Sequence, residues 1–338
     1  MSCGARKCLA WLSGGGHYLR GYRCQNAVLL LSFNRLDTVR QTLAQIACVQ
    51  PPRIYLASDG ARDGKINAQG MPESTLVQEV RAFLLDSIDW DCAVHTRFLD
   101  SNLGCKAAVS SAISWFFENE EQGIILEDDC LPTLSFFRFC DELLARYKEQ
   151  ERVMMISGWS ALDFAPNPSA HTLCPKARLS EDYFFSKYNH IWGWASWARA
   201  WAKYERESSN FASDFAHFAF SSASERRSWR KIFSAYYGGN IDTWDYPWTF
   251  SIWKARGLCV YPKNNMIQNI GFNRDDAAHT HGDSKFATMP SYEIVFPLTH
   301  PSHIAPNFAL DSLNFTLVFE TPNLLRRVVR KIQKMVKP

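Results

Sequence analysis

The chain lacks any run of about eighteen or more apolar residues, so a membrane-spanning helix is not expected. It lacks a C-x-x-C pair and any paired-histidine spacing. Its ten cysteines therefore make no zinc site and read as reduced thiols, mostly core. No G-x-G-x-x-G follows the first apolar run and no G-x-x-x-x-G-K-[ST] occurs, which removes the dinucleotide fingerprint and the P-loop. There is no broad basic field either. The net charge is +3, but residues 323–338 hold six Lys or Arg and no acid, which leaves the remainder slightly acidic. Nucleic acid is accordingly not an expected partner. Gly14 to Gly16 interrupt a short apolar patch where a signal peptide would need a continuous one, so the cytoplasm is the expected location. Internal repeats and a nucleophile elbow are also missing, and Cys105 and Cys130 have no evident catalytic partner.

What is present is an alternation. Residues 1–25 show no period and read as a loosely packed lead-in. AVLLLSF (27–33) is apolar on both faces, as a central strand of a mostly parallel sheet requires. Leu36, Val39, Leu43 and Ile46 then mark an amphipathic helix. RIYLAS, a helix near 73–86, CAVHTRFL, the helical KAAVSSAISWFF and the strand GIILE continue the β-α pattern of a doubly wound sheet. VMMIS (153–157) is a fifth strand. Beyond it the pattern loosens into an aromatic-rich half with a polar helical region to about 237, and TWDYPWTFSIWKARGLCVYP gives a helix and a strand. Twelve Trp permit sugar-stacking platforms, although most Trp in such a chain are packing.

The strand ends carry the polar residues: Asn34 and Arg35, Asp59 and Gly60, Asn102 to Lys106, and the triplet Glu127, Asp128, Asp129. In a doubly wound sheet these positions converge on one rim, where nucleotides bind. Pro132 is expected to end the strand, with Thr133 capping the next helix, so that the triplet sits at a strand-to-helix turn. Carboxylate oxygens there suit Mg²⁺ or Mn²⁺ bridging to phosphate; the plainer alternative is a solvated acidic turn at a helix N-terminus. Asp59 is suited to a base or ribose, or else to an Asp-Gly turn; Lys106, at a helix start, to phosphate, or else to solvent. Pro247 is comfortable at the first helical position, which puts Asp245 in the preceding loop as a candidate base, with Asp242 as the other acid available. His279 and His281 are candidates for a late metal or phosphate contact.

Taken in order, LLLSFNR, ASDG, DSNLGCK, GIILEDDC, HIWGWASWARAW, WDYPW and NIGFNRDDAAHT resemble a bacterial family of GT-A nucleotide-sugar glycosyltransferases, more distantly similar to the N-acetylglucosaminyltransferase I type. The resemblance covers roughly residues 26–305, divided into a nucleotide half (26–160) and an acceptor half (161–305), with 306–338 as an extension. It implies a GT-A, Rossmann-like mixed sheet flanked by helices and an inverting, metal-dependent sugar transfer from a UDP-sugar to a glycan or lipid-linked acceptor. Asp129 would be the metal ligand, Asp128 would contact ribose or sugar, and Glu127 a donor-sugar hydroxyl. Asp59 would meet the base, Ser32, Asn34 and Arg35 would line the nucleotide pocket, and Gly193 and Trp194 would shape the sugar side.

Two other classes use the same residues: a non-catalytic sugar-binding or membrane-interaction protein on this fold, and a metal-dependent phosphohydrolase or nucleotidyltransferase. NLLRRVVRKIQKMVKP places Leu325, Ile332 and Met335 opposite its basic residues. It reads as a basic amphipathic helix, either peripheral on an anionic inner-membrane surface or packed on the body.

Overall fold

The computed structural model describes residues 21–164, 175–272 and 286–320. His279, His281 and the basic tail lie outside them. The first half is β1 (Ala27–Ser32), α1 (Leu36–Val49), β2 (Arg53–Ser58), α2 (Glu73–Asp86), β3 (Ala93–Phe98), α3 (Gly104–Asn119) and β4 (Gln122–Glu127). The second half follows as β5 (Cys130–Pro132), α4 (Leu134–Arg146), β6 (Val153–Ser157), β7 (Tyr183–Ser186), β8 (Trp194–Trp197), α5 (Ala198–Trp201), α6 (Phe211–Ala216), α7 (Ala223–Tyr237), α8 (Asp245–Lys254), β9 (Leu258–Pro262), β10 (Ile267–Asn269) and α9 (Phe308–Asn314).

One eight-stranded mixed sheet runs β3-β2-β1-β4-β8-β6-β9-β7. The first four strands are parallel, and β8 enters antiparallel between β4 and β6. The alternation of β1 explains its central place. Val28 and Leu30 pack with α1 and α4 on one face, while Ala27, Leu29 and Leu31 pack with Ile113 and Phe116 of α3 on the other. Because every parallel strand points the same way, the carboxyl ends of β1, β2 and β4 open on one rim.

Four local expectations are corrected. Pro132 does not stop the chain from extending: Cys130–Pro132 pairs antiparallel with Ile267–Asn269, so the acidic triplet links two strands. A short pair of this kind needs no ladder N–H from a proline. Thr133 takes the N-cap position of α4, but its side chain makes no cap bond; the Glu293 carboxylate caps the helix instead, accepting from Leu134 N at 3.0 Å and Ser135 N at 2.8 Å. Nearer the N-terminus, the lead-in is tied down at its end, where Tyr22, Gln25 and Asn26 all donate to Asp141. Cys48 is disulfide-bonded rather than reduced. Sequence separation says nothing about whether two cysteines meet in space, and Cys48 is only half-buried in the last turn of α1.

The first part of the expected extension packs on the rest of the chain. Residues 306–320 belong to the body: Pro306 bridges Phe185, the Ser186 hydroxyl donates to the buried Asp311, and Asn314 accepts from Tyr261. Among the described residues no helix is long and apolar enough to cross a membrane.

Replacing Glu293 by Ala leaves two N–H groups at the start of α4 uncapped. The variant should lose about 1–2 kcal/mol of unfolding free energy in a urea titration. An unchanged midpoint would contradict the capping role.

Candidate functional site

A cavity of about 780 Å³ opens on the rim and is walled by both halves of the chain. Arg35, Asp59, Arg62 and Arg97 stand on the side of β1 to β3. Glu127, Asp128 and Asp129 lie at the end of β4, and Asp242 and Asp245 come from the second half. Trp159, Trp192, Phe286 and Phe319 complete the far wall.

The triplet is where β4 leaves the sheet. Asp128 Oδ2 accepts from the backbone N–H of Phe33 at 3.3 Å, and Asp129 Oδ2 lies 3.2 Å from Nη1 of Arg35. Asp128 and Asp129 are buried, and Oε1 of Glu127 is buried without a hydrogen-bond partner. Burial, then the charges of Asp129, Asp128 and Asp245, push the Glu127 carboxyl well above its usual range. Burial raises Asp129 as well, with Arg35 opposing it. The β5–β10 pairing brings a further constraint: a Cβ on Gly271 would stand 2.1 Å from Asp129 Oδ2. Only glycine lets this segment pass the carboxylate.

Asp245 is the first residue of α8 and Pro247 the third, two positions later than the sequence suggested. The helix tolerates this because the N–H groups of its first turn have no intrahelical acceptor, so proline loses nothing there. Thr243 donates its hydroxyl to Asp245 Oδ1, and Asp245 is half-buried at the cavity wall. Asp242 is exposed and lines the cavity too, so both candidate bases face it.

Other expected residues take different parts. Asp59 accepts from Gly60 N (2.8 Å), Leu103 N (2.9 Å), Asn102 Nδ2 (3.0 Å) and Gly104 N (3.1 Å). Four donors engage about four lone-pair positions, so this carboxylate holds the 101–104 loop against the end of β2. Gly60 serves the same closure: a Cβ there would meet the Ser101 carbonyl carbon at 2.3 Å. Asn34 does not line the cavity; it donates to the buried Glu73, which also receives Arg62. Lys106 turns away to Glu207 and the Tyr236 ring, because at the third position of α3 it lies on the outer face. Gly193 and Trp194 are absent from the lining. Trp194 lies in the sheet, fully buried, and its ring stacks on Trp244 at 5.6 Å, next to Asp245. Ser32, Arg35 and Asn102 do line the cavity. Arg62, Arg97, Trp159 and Phe319 carry no motif and reach the rim only through the fold, and Trp192, inside HIWGWASWARAW, lines the cavity in place of the Gly193 and Trp194 beside it.

The donor set fits a hard divalent cation. The oxygens are carboxylate, Glu127 Oε1 is buried without a hydrogen-bond partner, and Arg35 meets the triplet at Asp129. Among the described residues no group of three or more His, Cys, Asp or Glu side chains is arranged to hold a metal ion by itself. Mg²⁺ and Mn²⁺ sites that share their coordination with a phosphate need only one or two carboxylates.

No protein-family model matches the chain, and no curated protein matches it. Solved structures of LgtC are similar at a low level. One, an active-site mutant, aligns with TM-score 0.37 and 10% identity over 89% of this chain and 99% of its own. Another, described as galactosyltransferase LgtC in complex with donor and acceptor sugar analogues, gives 0.34 and 10% over the same shares. A likeness of this size assigns neither an activity nor a residue role to this chain.

The far wall contains a titration with a definite sign. Burial lowers His190 to about 4, while its Nε2–H donates to Asn314 Oδ1 at 3.1 Å. The unfolded chain therefore takes up a proton below about 6.5 that the folded chain refuses, and stability falls by at most about 1.4 kcal/mol per pH unit down to about 4. Asp311, raised by burial to about 6, works oppositely: its contribution is present at low pH and lost as pH rises through about 6. His190→Gln removes only the first. Wild type should lose stability relative to this variant as pH drops from 6.5 to 4 in denaturant titrations; parallel profiles would contradict the assignment.

Proposed function

We propose that the chain is a metal-dependent, inverting glycosyltransferase of the GT-A type, moving a sugar from a nucleoside diphosphate, UDP first among them, to a glycan or lipid-linked acceptor. The observation that carries this reading is the single cavity shared by Glu127, Asp128 and Asp129 on one element and Asp245 on another. A sugar transfer needs charge stabilisation at the leaving diphosphate and a proton acceptor for the attacking hydroxyl, in one water-poor space.

Asp129, with Asp128 or Glu127 beside it, would hold Mg²⁺ or Mn²⁺ against the diphosphate. The cation, when bound, supplies Lewis-acid charge to the departing phosphate oxygen. Arg35 neutralises the same group from the side of β1. Asp245, its Oδ1 fixed by Thr243, takes the proton of the acceptor hydroxyl. That oxygen bonds to the sugar's anomeric carbon, and the bond from that carbon to the diphosphate breaks, the electron pair leaving on the nucleoside diphosphate. Attack from the face opposite the leaving group inverts the centre. Trp159, Trp192 and Phe319 limit competing water. The basic amphipathic pattern of 323–338 suits an anionic membrane surface carrying a lipid-linked acceptor.

Two variants separate the roles. With Mn²⁺ present, Asp129→Ala should abolish the coupled binding of Mn²⁺ and UDP seen by calorimetry. Asp245→Ala should keep that binding while slowing release of free sugar from a UDP-sugar by roughly 10²–10⁴-fold. Undiminished UDP binding by Asp129→Ala, or cleavage between the two phosphates, would overturn the proposal.

A further inference from the structure

One part of the cavity is a slot against α3, lined by Leu31 and Ala57 from the sheet and by Ala108 and Ala112 from the helix. Three of these four residues are alanine, so little side-chain bulk enters this part of the cavity. Arg97 closes the slot. Its Cα pairs with that of Ala57 in parallel register, so both side chains emerge on the same face of the sheet. Arg97 lines the cavity, and its Nε is buried with no hydrogen-bond partner. A buried donor without an acceptor is costly in any fold, and a ligand acceptor atom relieves that cost.

The other polar group at this end cannot read a ligand in the expected way. Asp59 already receives four N–H donors from Gly60, Asn102, Leu103 and Gly104. Resting on the nucleotide reading above, we infer that the slot holds the nucleobase and that Arg97, rather than Asp59, is the residue that recognises it, by donating to a ring carbonyl oxygen. The base is thus one presenting such a carbonyl, as uracil does, and Arg97 is a specificity-determining contact remote from the transfer chemistry.

The variant is Arg97→Met, close in length but without donors. It sits on the edge strand β3, whose residues Ala93 to Thr96 are exposed, so the sheet should accept it. Calorimetry is run with uridine, with UDP and with inorganic pyrophosphate, the last two with Mn²⁺. Affinity for uridine and for UDP should fall alike, roughly ten- to a hundredfold, while pyrophosphate is bound as by wild type. Wild-type affinity of the variant for uridine and UDP overturns the inference and leaves the glycosyltransferase reading intact. Failure of wild type to bind UDP at all overturns both. Should the variant not fold, ¹⁵N-arginine labelling of wild type decides: a shifted Nε–H resonance on adding uridine supports the inference, and none overturns it.

Discussion

The structure is organised around a concentration of buried carboxyl groups at the end of β4. Glu127, Asp128 and Asp129 are drawn to one point because β4 runs parallel to β1 and ends beside it, with Leu31 opposite Glu127. Burial there favours protonation of Glu127 and Asp129, and the Arg35 charge opposes it at both. Leaving Glu127 Oε1 unpaired costs about 1–3 kcal/mol. Carboxylates so perturbed mark a candidate functional site.

The second half reads as a frame built to that point. The β5–β10 pair carries Gly271 past Asp129, so close that no side chain fits. The inserted strand β8 buries Trp194, whose ring supports Trp244 and thereby the start of α8 and Asp245. Residues 306–320 reach back across the sheet end to put Phe319 in the cavity, stacked on the His190 ring. Distant segments thus converge on one volume, by packing and, at Ile270, by a backbone N–H donated to the Asp129 carbonyl.

Much of this was legible in the residues, unevenly. The helix expected near 73–86 and the strand at 153–157 match α2 and β6, because both follow strong apolar periodicity bounded by Pro or polar turns. The acids, both candidate bases and Arg35 reach the cavity as their positions at element ends suggested. Three kinds of feature were hidden. Register was one: Pro247 is acceptable anywhere in the first helical turn, so it could not fix where α8 begins. Employment was another: Asp59 and Asn34 are spent on the Ser101–Gly104 loop and on Glu73, partners 39 to 45 residues away that no local pattern announces. Convergence was the last, since Arg97 on an edge strand looks like a solvated residue until its register with Ala57 is known.

The central claim is that the carboxylates form an incomplete shell finished by a nucleotide's phosphates. Electron paramagnetic resonance of free Mn²⁺ tests it directly. Titrating the ion with protein alone should remove little of the free-ion signal, and adding UDP should remove much more at the same protein concentration. Strong uptake without nucleotide, or no uptake with it, would contradict the account.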